Sequence, residues 1–356
     1  MSNPRIQSLI ALLADVKADS AIVSSAVNVR YLSGFTGSNG LLTLTQDGGT
    51  TLFTDPRYGV QAPREVSCKV KVVKGKPISL AAIAHLKKCK ATAFENKRMT
   101  HAAVAAMTEK LTLGMSLIPL GDKIEELRMV KDEAELAAIR QSVKTNSAAF
   151  DTSLHLIEPG MTENEVAAEI DYQMRRLGAE RTAFDTIVAA GLNSALPHAR
   201  PGTARLRNNE VLLIDMGAFE GGYASDMTRM VALGRPAPGI REMYKAVLEA
   251  QLAAVDAVRP GVSAQRVDRV ARDVLKRHGL EKAFAHSTGH GLGLEIHEAP
   301  RLGKKEKTKL AAGMVITIEP GAYVEGLGGI RIEDTLVVTR TGCEVLTPTS
   351  KEFVVL

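Results

Sequence analysis

Two stretches of the 356-residue chain repeat each other. Glu158-Pro-Gly-Met-Thr162-Glu-Asn-Glu-Val166, running on to Met174-Arg-Arg-Leu-Gly178-Ala-Glu180, matches Arg259-Pro-Gly-Val-Ser263-Ala-Gln-Arg-Val267, running on to Leu275-Lys-Arg-His-Gly279-Leu-Glu281, at a constant offset of 101. Upstream, Ile139-Arg140 falls on Ile240-Arg241 at the same offset. Each copy reads as helix, Pro-Gly turn, helix, with Gly178 or Gly279 placed as a C-cap. Thr162 and Glu165 have the spacing of a capping box. A chain built this way folds its C-terminal two thirds as two related halves about a pseudo-twofold axis.

The two helix pairs also lead into similar segments. The first half has Pro197-His198, then a strand-like Val211–Gly217 containing Asp215, then Tyr223–Leu233 containing Asp226. The second has the glycine-rich Ser287–Pro300 with His290 and His297, then Met314–Gly321 with Glu319, then Gly328–Val338 with Glu333. Gly289, Gly291 and Gly293 suggest a loop whose backbone uses conformations closed to other residues. Acids inside runs such as VLLID, VITIE and IRIED are costly to bury unless cations or metal accompany them. Arg229 and Arg331 are too few to neutralise four carboxylates, which favours metal over salt bridges. Period-two alternation puts Asp226 on one face with Thr228, Glu319 with Thr317, and Glu333 with Arg331 and Thr335. Oxygen donors with one imidazole suit Mn²⁺, Co²⁺, Fe²⁺ or Zn²⁺. Two ions, ~3.5–4 Å apart, would activate a water and clamp the oxygens of a tetrahedral intermediate.

The first third is of a different kind. Short β-type runs at 21–24, 41–45, 50–55, 68–73, 91–94 and 116–120 alternate with helical ones, and Asp47-Gly48-Gly49 marks a hairpin, hence a mixed sheet. The N-terminus reads as an amphipathic helix interrupted by Asp15 and Asp19, with no cleavage site after it. Asn28–Gly40 reads as an exposed loop, a common seat of functional residues. The charged stretch from Lys123 to Glu133 is the expected link, followed by a long helix with Leu136, Ile139, Val143 and Phe150 on one stripe.

Composition narrows the function. Hydrophobic content of 45% and charged content of 24% are those of a globular protein. Three scattered cysteines, Cys68, Cys89 and Cys343, predict a reducing, cytoplasmic setting and no structural zinc site. No run approaches the ~20 apolar residues of a membrane span. The densest basic run, Lys304–Lys309, contains an acid and no aromatics, so neither nucleic acid nor a membrane is an expected partner.

The joint pattern of Phe184–Gly191, Ser194–His198, Asp215, Asp226, Thr288–Gly291, His297-Glu298, Ile318–Gly321 and Arg331–Asp334 resembles the pita-bread metallopeptidases (M24). Within these it is similar to prolidase and aminopeptidase P, the Xaa-Pro peptidases, and Asn28–Gly37 and the link resemble their N-terminal domain and junction. The resemblance implies metal ligands at Asp215, Asp226, His290, Glu319 and Glu333, with Asp226 and Glu333 bridging. It implies that Glu319 or a neighbouring carboxylate takes a proton, that His198 contacts substrate and shuttles protons, and that His297 bonds the scissile carbonyl or its oxyanion. His286 and Arg331 match residues beside the substrate. His85, His101, His155 and His278, in helical contexts without partners, have no expected role. The resulting expectation is an α/β two-domain chain: a small mixed-sheet α/β domain at 1–122 and an α+β pita-bread domain with an internal pseudo-twofold repeat at 123–356. Its implied activity is hydrolysis of the bond between an N-terminal residue and proline in small peptides, with two divalent ions, Mn²⁺ or Co²⁺ before Zn²⁺ or Fe²⁺. A homodimer is implied by the family. The competing readings are a non-catalytic peptide-binding module and a methionine-aminopeptidase-like specificity. A dipeptidase would further need a cation for the free carboxylate, placed by the N-terminal domain or a partner subunit.

Overall fold

The computed structural model describes residues 3–356. Two compact units divide the chain, Met1–Arg128 and Met129–Leu356. The boundary expected between residues 122 and 123 falls at the start of a short helix, Lys123–Arg128, that ends the first unit. Among the described residues no helix is long and apolar enough to cross a membrane.

In the first unit, the helix Pro4–Asp15 buries Ile6, Leu9 and Leu13, one stripe at helical spacing. Strands β1 (Ser20–Val23), β2 (Gly40–Thr45), β3 (Thr50–Thr54), β4 (Lys69–Val72), β5 (Ala91–Phe94) and β6 (Ser116–Pro119) form one sheet in the order β4-β3-β2-β1-β5-β6. Only β2 runs against its neighbours, and its hairpin to β3 turns at Gly48 with φ of 89°. The sheet is therefore mixed, as the Asp-Gly-Gly turn predicts.

Asn28–Gly40 is not one exposed loop. Ala26–Ser33 is a helix that buries Asn28, Val29, Tyr31 and Leu32 and ends at Gly34 with φ of 83°. Its polar content is matched by partners distant in sequence. Buried Glu95 accepts from the Ser24 and Ser25 amides at 2.5 and 2.8 Å, at the positive end of the helix. Asn28 donates to Glu95 (2.6 Å) and Glu125 (2.9 Å) and accepts from Arg128 (2.8 Å). A fully hydrogen-bonded Asn can sit in a core, and only residues 34–39 remain irregular.

In the second unit the repeat is real structure. Helices α1 (Glu133–Leu154) and α2 (Glu163–Arg176) pair in the first half, and α3 (Pro238–Asp256) and α4 (Ala264–Arg277) in the second. The Thr162–Glu165 capping box forms, and Gly178 and Gly279 take φ of 123° and 72° past the second helix of each pair.

The site-bearing strands are β7 (Ile187–Ala190), β8 (Glu210–Met216), β9 (Met227–Leu233), β10 (Gly289–Gly291), β11 (Glu298–Leu302), β12 (Val315–Ile318), β13 (Gly321–Val324), β14 (Gly328–Arg331) and β15 (Asp334–Val338). The first half sets β9, β8 and β7 side by side, with Val354–Val355 on the outer edge of β9. The second runs β11-β10-β12-β15 and then Cys343–Val345, with β13 and β14 as a separate antiparallel pair. Strand β8 is covered on both faces. Leu212, Ile214 and Met216 join the core under α1 and α2, while Val211 and Leu213 join the core shared with α3, α4 and the second-half strands. Asp215, in phase with Leu213, thus faces the second half.

Gly289 and Gly291 differ from expectation. They lie in β10, a sheet strand rather than a loop, and neither has a positive φ. Close approach explains them: a Cβ on Gly289 would stand 2.0 Å from the Thr317 carbonyl oxygen, and one on Gly291 2.3 Å from that of Ala299.

Candidate metal centre

Each half delivers its acids from the open end of an antiparallel strand pair. On β8 and β9, Asp215 lies opposite Thr228 and Asp226 just precedes β9. On β12 and β15, Ile318 lies opposite Asp334, so Glu319 comes directly after one strand and Glu333 just precedes the other. The two ends face one cavity of about 480 Å³. Every site residue expected from the sequence lines it: His198, Asp215, Asp226, His286, His290, His297, Glu319, Arg331 and Glu333.

The His290 Nε2 atom stands 3.5 Å from both Asp226 Oδ2 and Glu319 Oε1. One donor atom each from Asp226, His290 and Glu333 lies within 4.8 Å of the others. The tautomer of His290 is set by its other nitrogen. Nδ1 is 3.0 Å from the Gly291 carbonyl, which can only accept, so Nδ1 carries the proton and the Nε2 lone pair points at the carboxylates.

Three buried carboxylate oxygens here, Asp215 Oδ1, Asp226 Oδ1 and Glu333 Oε1, accept no hydrogen bond among the described residues. Burial first, and then the negative charge of neighbouring acids, push the Asp226 and Glu333 carboxyls well above the usual carboxylate range. Burial also raises Glu319, which His290 and Arg331 partly oppose. A cluster of unpaired, desolvated carboxylates beside an imidazole lone pair lacks positive charge, and divalent cations that prefer oxygen and imidazole supply it. The residues present fit such ions.

Arg331 is buried and neutralises part of the charge, on Asp215. It donates to Asp215 Oδ2 (2.5 Å), Thr228 Oγ1 (3.0 Å), the Pro197 carbonyl (3.1 Å) and the Tyr323 hydroxyl (2.8 Å). With these acceptors in the protein, its guanidinium serves as a brace across the site. His286 Nδ1 donates to the Ser287 carbonyl at 2.8 Å, which leaves Nε2 to accept from Tyr323 at 2.9 Å. Burial, reinforced by Arg331, depresses His286 to about 4, so it is neutral near pH 7. His297 is also lowered, chiefly by burial and then by His290. Its ring stands 4.4 Å from that of His290. His198 is exposed at the cavity's edge.

Four residues at the site have no role assigned from the sequence. Tyr323, just beyond the Ile318–Gly321 motif, links Arg331 to His286. Lys131 and Glu298 form a nearly buried pair at 3.0 Å beneath the His297 segment. Arg301 lines the cavity without an ion pair among the described residues, and its place four residues after His297 was the available signal. Of the four histidines given no role, His85 and His278 do have surface partners, Lys71 at 2.9 Å and Glu249 at 2.7 Å. None of the four lines the cavity.

Residues 137–340 match metallopeptidase family M24, and residues 5–130 match the creatinase/prolidase N-terminal domain. An Xaa-Pro dipeptidase of Pyrococcus furiosus is 37% identical over 98% of this chain and 99% of its own. Among solved structures, an Xaa-Pro dipeptidase from Bacillus anthracis superposes with a TM-score of 0.96 at 35% identity, covering 99% of each chain. An X-Pro aminopeptidase from Thermotoga maritima does so at 0.91 and 35%, covering 97% of this chain and 100% of that one. The chain belongs to metallopeptidase family M24.

Proposed function

We propose that this enzyme is a metal-dependent Xaa-Pro peptidase that holds two divalent ions on Asp215, Asp226, His290, Glu319 and Glu333 and acts on dipeptides. The observation that carries the reading is the set of three orphaned carboxylate oxygens, from both halves, facing one cavity beside the His290 lone pair. Bound there, the ions would supply a water of lowered pKa and an electrophile for the scissile carbonyl. Mn²⁺ or Co²⁺ suits this donor set.

The protein's own groups divide the remaining work. Asp226 and Glu333, the most deeply buried of the four candidate carboxylates, would help to hold both ions. Glu319, the more accessible carboxylate, accepts the proton released when water attacks. His297, whose ring nitrogens have no hydrogen-bond partner among the described residues, donates to the developing oxyanion. His198, at the mouth, delivers a proton to the leaving proline nitrogen. Arg331 holds Asp215 in place, and through Tyr323 it fixes the His286 ring as a wall for the substrate.

Arg301 supports the dipeptidase choice. A free carboxylate one residue beyond the scissile bond needs a cation, and Arg301 offers one on the cavity wall of this same unit. The three cysteines are free thiols, which supports a cytoplasmic site of action. The homodimer implied by the family is checked by light scattering.

Hydrolysis of Ala-Pro after chelation, and again after adding Mn²⁺, tests the function. Activity should vanish and return; full activity in chelator would overturn the metal mechanism. Ala-Pro should also be cleaved faster than Ala-Pro-Ala, and the reverse order would make the enzyme an aminopeptidase.

A further inference from the structure

We propose that two buried helical carboxylates, Glu163 and Asp268, are positioning residues, one per half, that staple the histidine-bearing segments of the site. The proposal rests on the peptidase reading only for its kinetic readout.

Glu163 opens α2 and is 2% exposed. Its Oε1 accepts from the Ala190 amide (2.8 Å) and Asn193 Nδ2 (2.9 Å), and its Oε2 from the Gly202 amide (3.0 Å). Ala190 and Gly202 are the two ends of the segment that carries His198. Inside that segment Ser194 Oγ accepts from the Gly329 amide on β14, and the Pro197 carbonyl accepts from Arg331. The His198 ring has no hydrogen bond of its own among the described residues, so its place in the cavity derives from how this segment is held.

Asp268 lies in α4 and is 1% exposed. It accepts from the Thr288 amide (3.2 Å) and hydroxyl (2.9 Å) and takes a forked pair from Arg272 at 2.8 and 3.1 Å. Arg272 then donates to the carbonyls of Phe284 (3.1 Å) and His286. The Thr288 carbonyl in turn accepts from the Glu319 amide at 2.8 Å. One carboxylate thus fixes the stretch that bears His286, leads into His290 and abuts Glu319.

The repeat argues that these acids serve the loops rather than the helices. At the offset of 101, Glu163 falls on Ala264 and Asp268 on Ala167. Both alanines are buried, so each helix packs without an acid at the matching position. Each half has therefore placed a carboxylate at a different point of the same helix to reach its own loop. Burying an acid costs free energy unless its hydrogen bonds are made, and here nearly every donor comes from a site-bearing segment or from the arginine that ties one down.

Glu163→Gln keeps the side chain's size but turns one acceptor into a donor that faces an N–H. With Ala-Pro, kcat should fall about 10- to 100-fold, with KM and bound metal nearly unchanged. In a His198→Ala background the same change should have no further effect on kcat. An equal fold-loss in both backgrounds would mark a merely structural acid and overturn the proposal. Hydrogen exchange gives a readout free of activity: the Ala190 and Gly202 amides should exchange faster in Glu163→Gln, and Thr288 in Asp268→Asn. Asp268→Asn should also weaken Mn²⁺ binding about tenfold, read by calorimetry. If the wild-type enzyme cleaves no Xaa-Pro peptide, the peptidase reading fails and exchange alone decides: unchanged protection at Ala190, Gly202 and Thr288 overturns the staples. Should Glu163→Gln not fold, Asn193→Ala removes one of the three donors and should lower kcat about two- to threefold in the same His198-dependent way; no change would overturn the role of Glu163.

Discussion

The two halves of the catalytic unit each lend an arginine to an acid of the other, and the two exchanges end differently. Arg229, from the first half, donates to Asp334 at 2.8 Å, and Asp334 also accepts from Gln251 (2.8 Å) and Lys351 (2.5 Å). The same guanidinium holds the carbonyls of Thr228, Glu333, Thr349 and Ser350. Asp334 is wholly buried and wholly satisfied. Arg331, from the second half, reaches Asp215 but leaves its Oδ1 without a partner among the described residues. The lesson is that burial of an acid does not mark a metal site. Glu333 and Asp334 are adjacent and equally hidden, yet one is neutralised by the protein and the other keeps an oxygen for something else.

The contrast can be broken by mutation, beginning with the largest expected effect. Asp226→Asn should lower kcat for Ala-Pro by about 10⁴-fold, roughly 5 kcal/mol in the barrier, while circular dichroism stays native. Full activity would remove Asp226 from the ligand set. Arg229→Met leaves Asp334 with an incomplete set of partners and frees several carbonyls, so urea unfolding should show a loss of about 3 kcal/mol or more. A variant as stable as the parent would contradict the structural role given to that pair.

Removing metal probes the other side. Because the folded state raises Asp226, Glu319 and Glu333 above their unfolded values, the stripped protein is favoured by their protonation at acid pH. That contribution is present below the unfolded carboxylate range, near pH 4, and is lost as pH rises through the raised values. The gap in melting temperature between loaded and stripped protein should therefore widen from pH 5 to 8; a constant gap would show that cations are not replacing those protons. Smallest in effect, Arg301→Ala should raise KM for Ala-Pro about tenfold, near 1.4 kcal/mol, while leaving Ala-Pro-Ala unchanged. Equal losses on both would dismiss Arg301 as the carboxylate's partner.

Much of this was legible in the chain. The 101-residue offset revealed the halves, and acids embedded in apolar strand runs revealed the cavity, because both signals are local and periodic. What stayed hidden depends on contacts between residues far apart. Asn28 reads as a loop residue until Glu95, Glu125 and Arg128 surround it. Asp334 reads like its neighbour Glu333 until Arg229 and Lys351 claim it. Gly289 and Gly291 announce a special backbone need, but whether that need is a positive φ or a crowded strand depends on the Thr317 and Ala299 carbonyls packed against them.

The central claim is that both halves jointly hold two divalent ions on carboxylates that the protein leaves unneutralised. Elemental analysis of enzyme reconstituted with Mn²⁺ and desalted tests it most directly. Two ions per chain in the wild type, and at most one in Asp226→Asn, is the predicted result; a fully active wild type that retains none would contradict it.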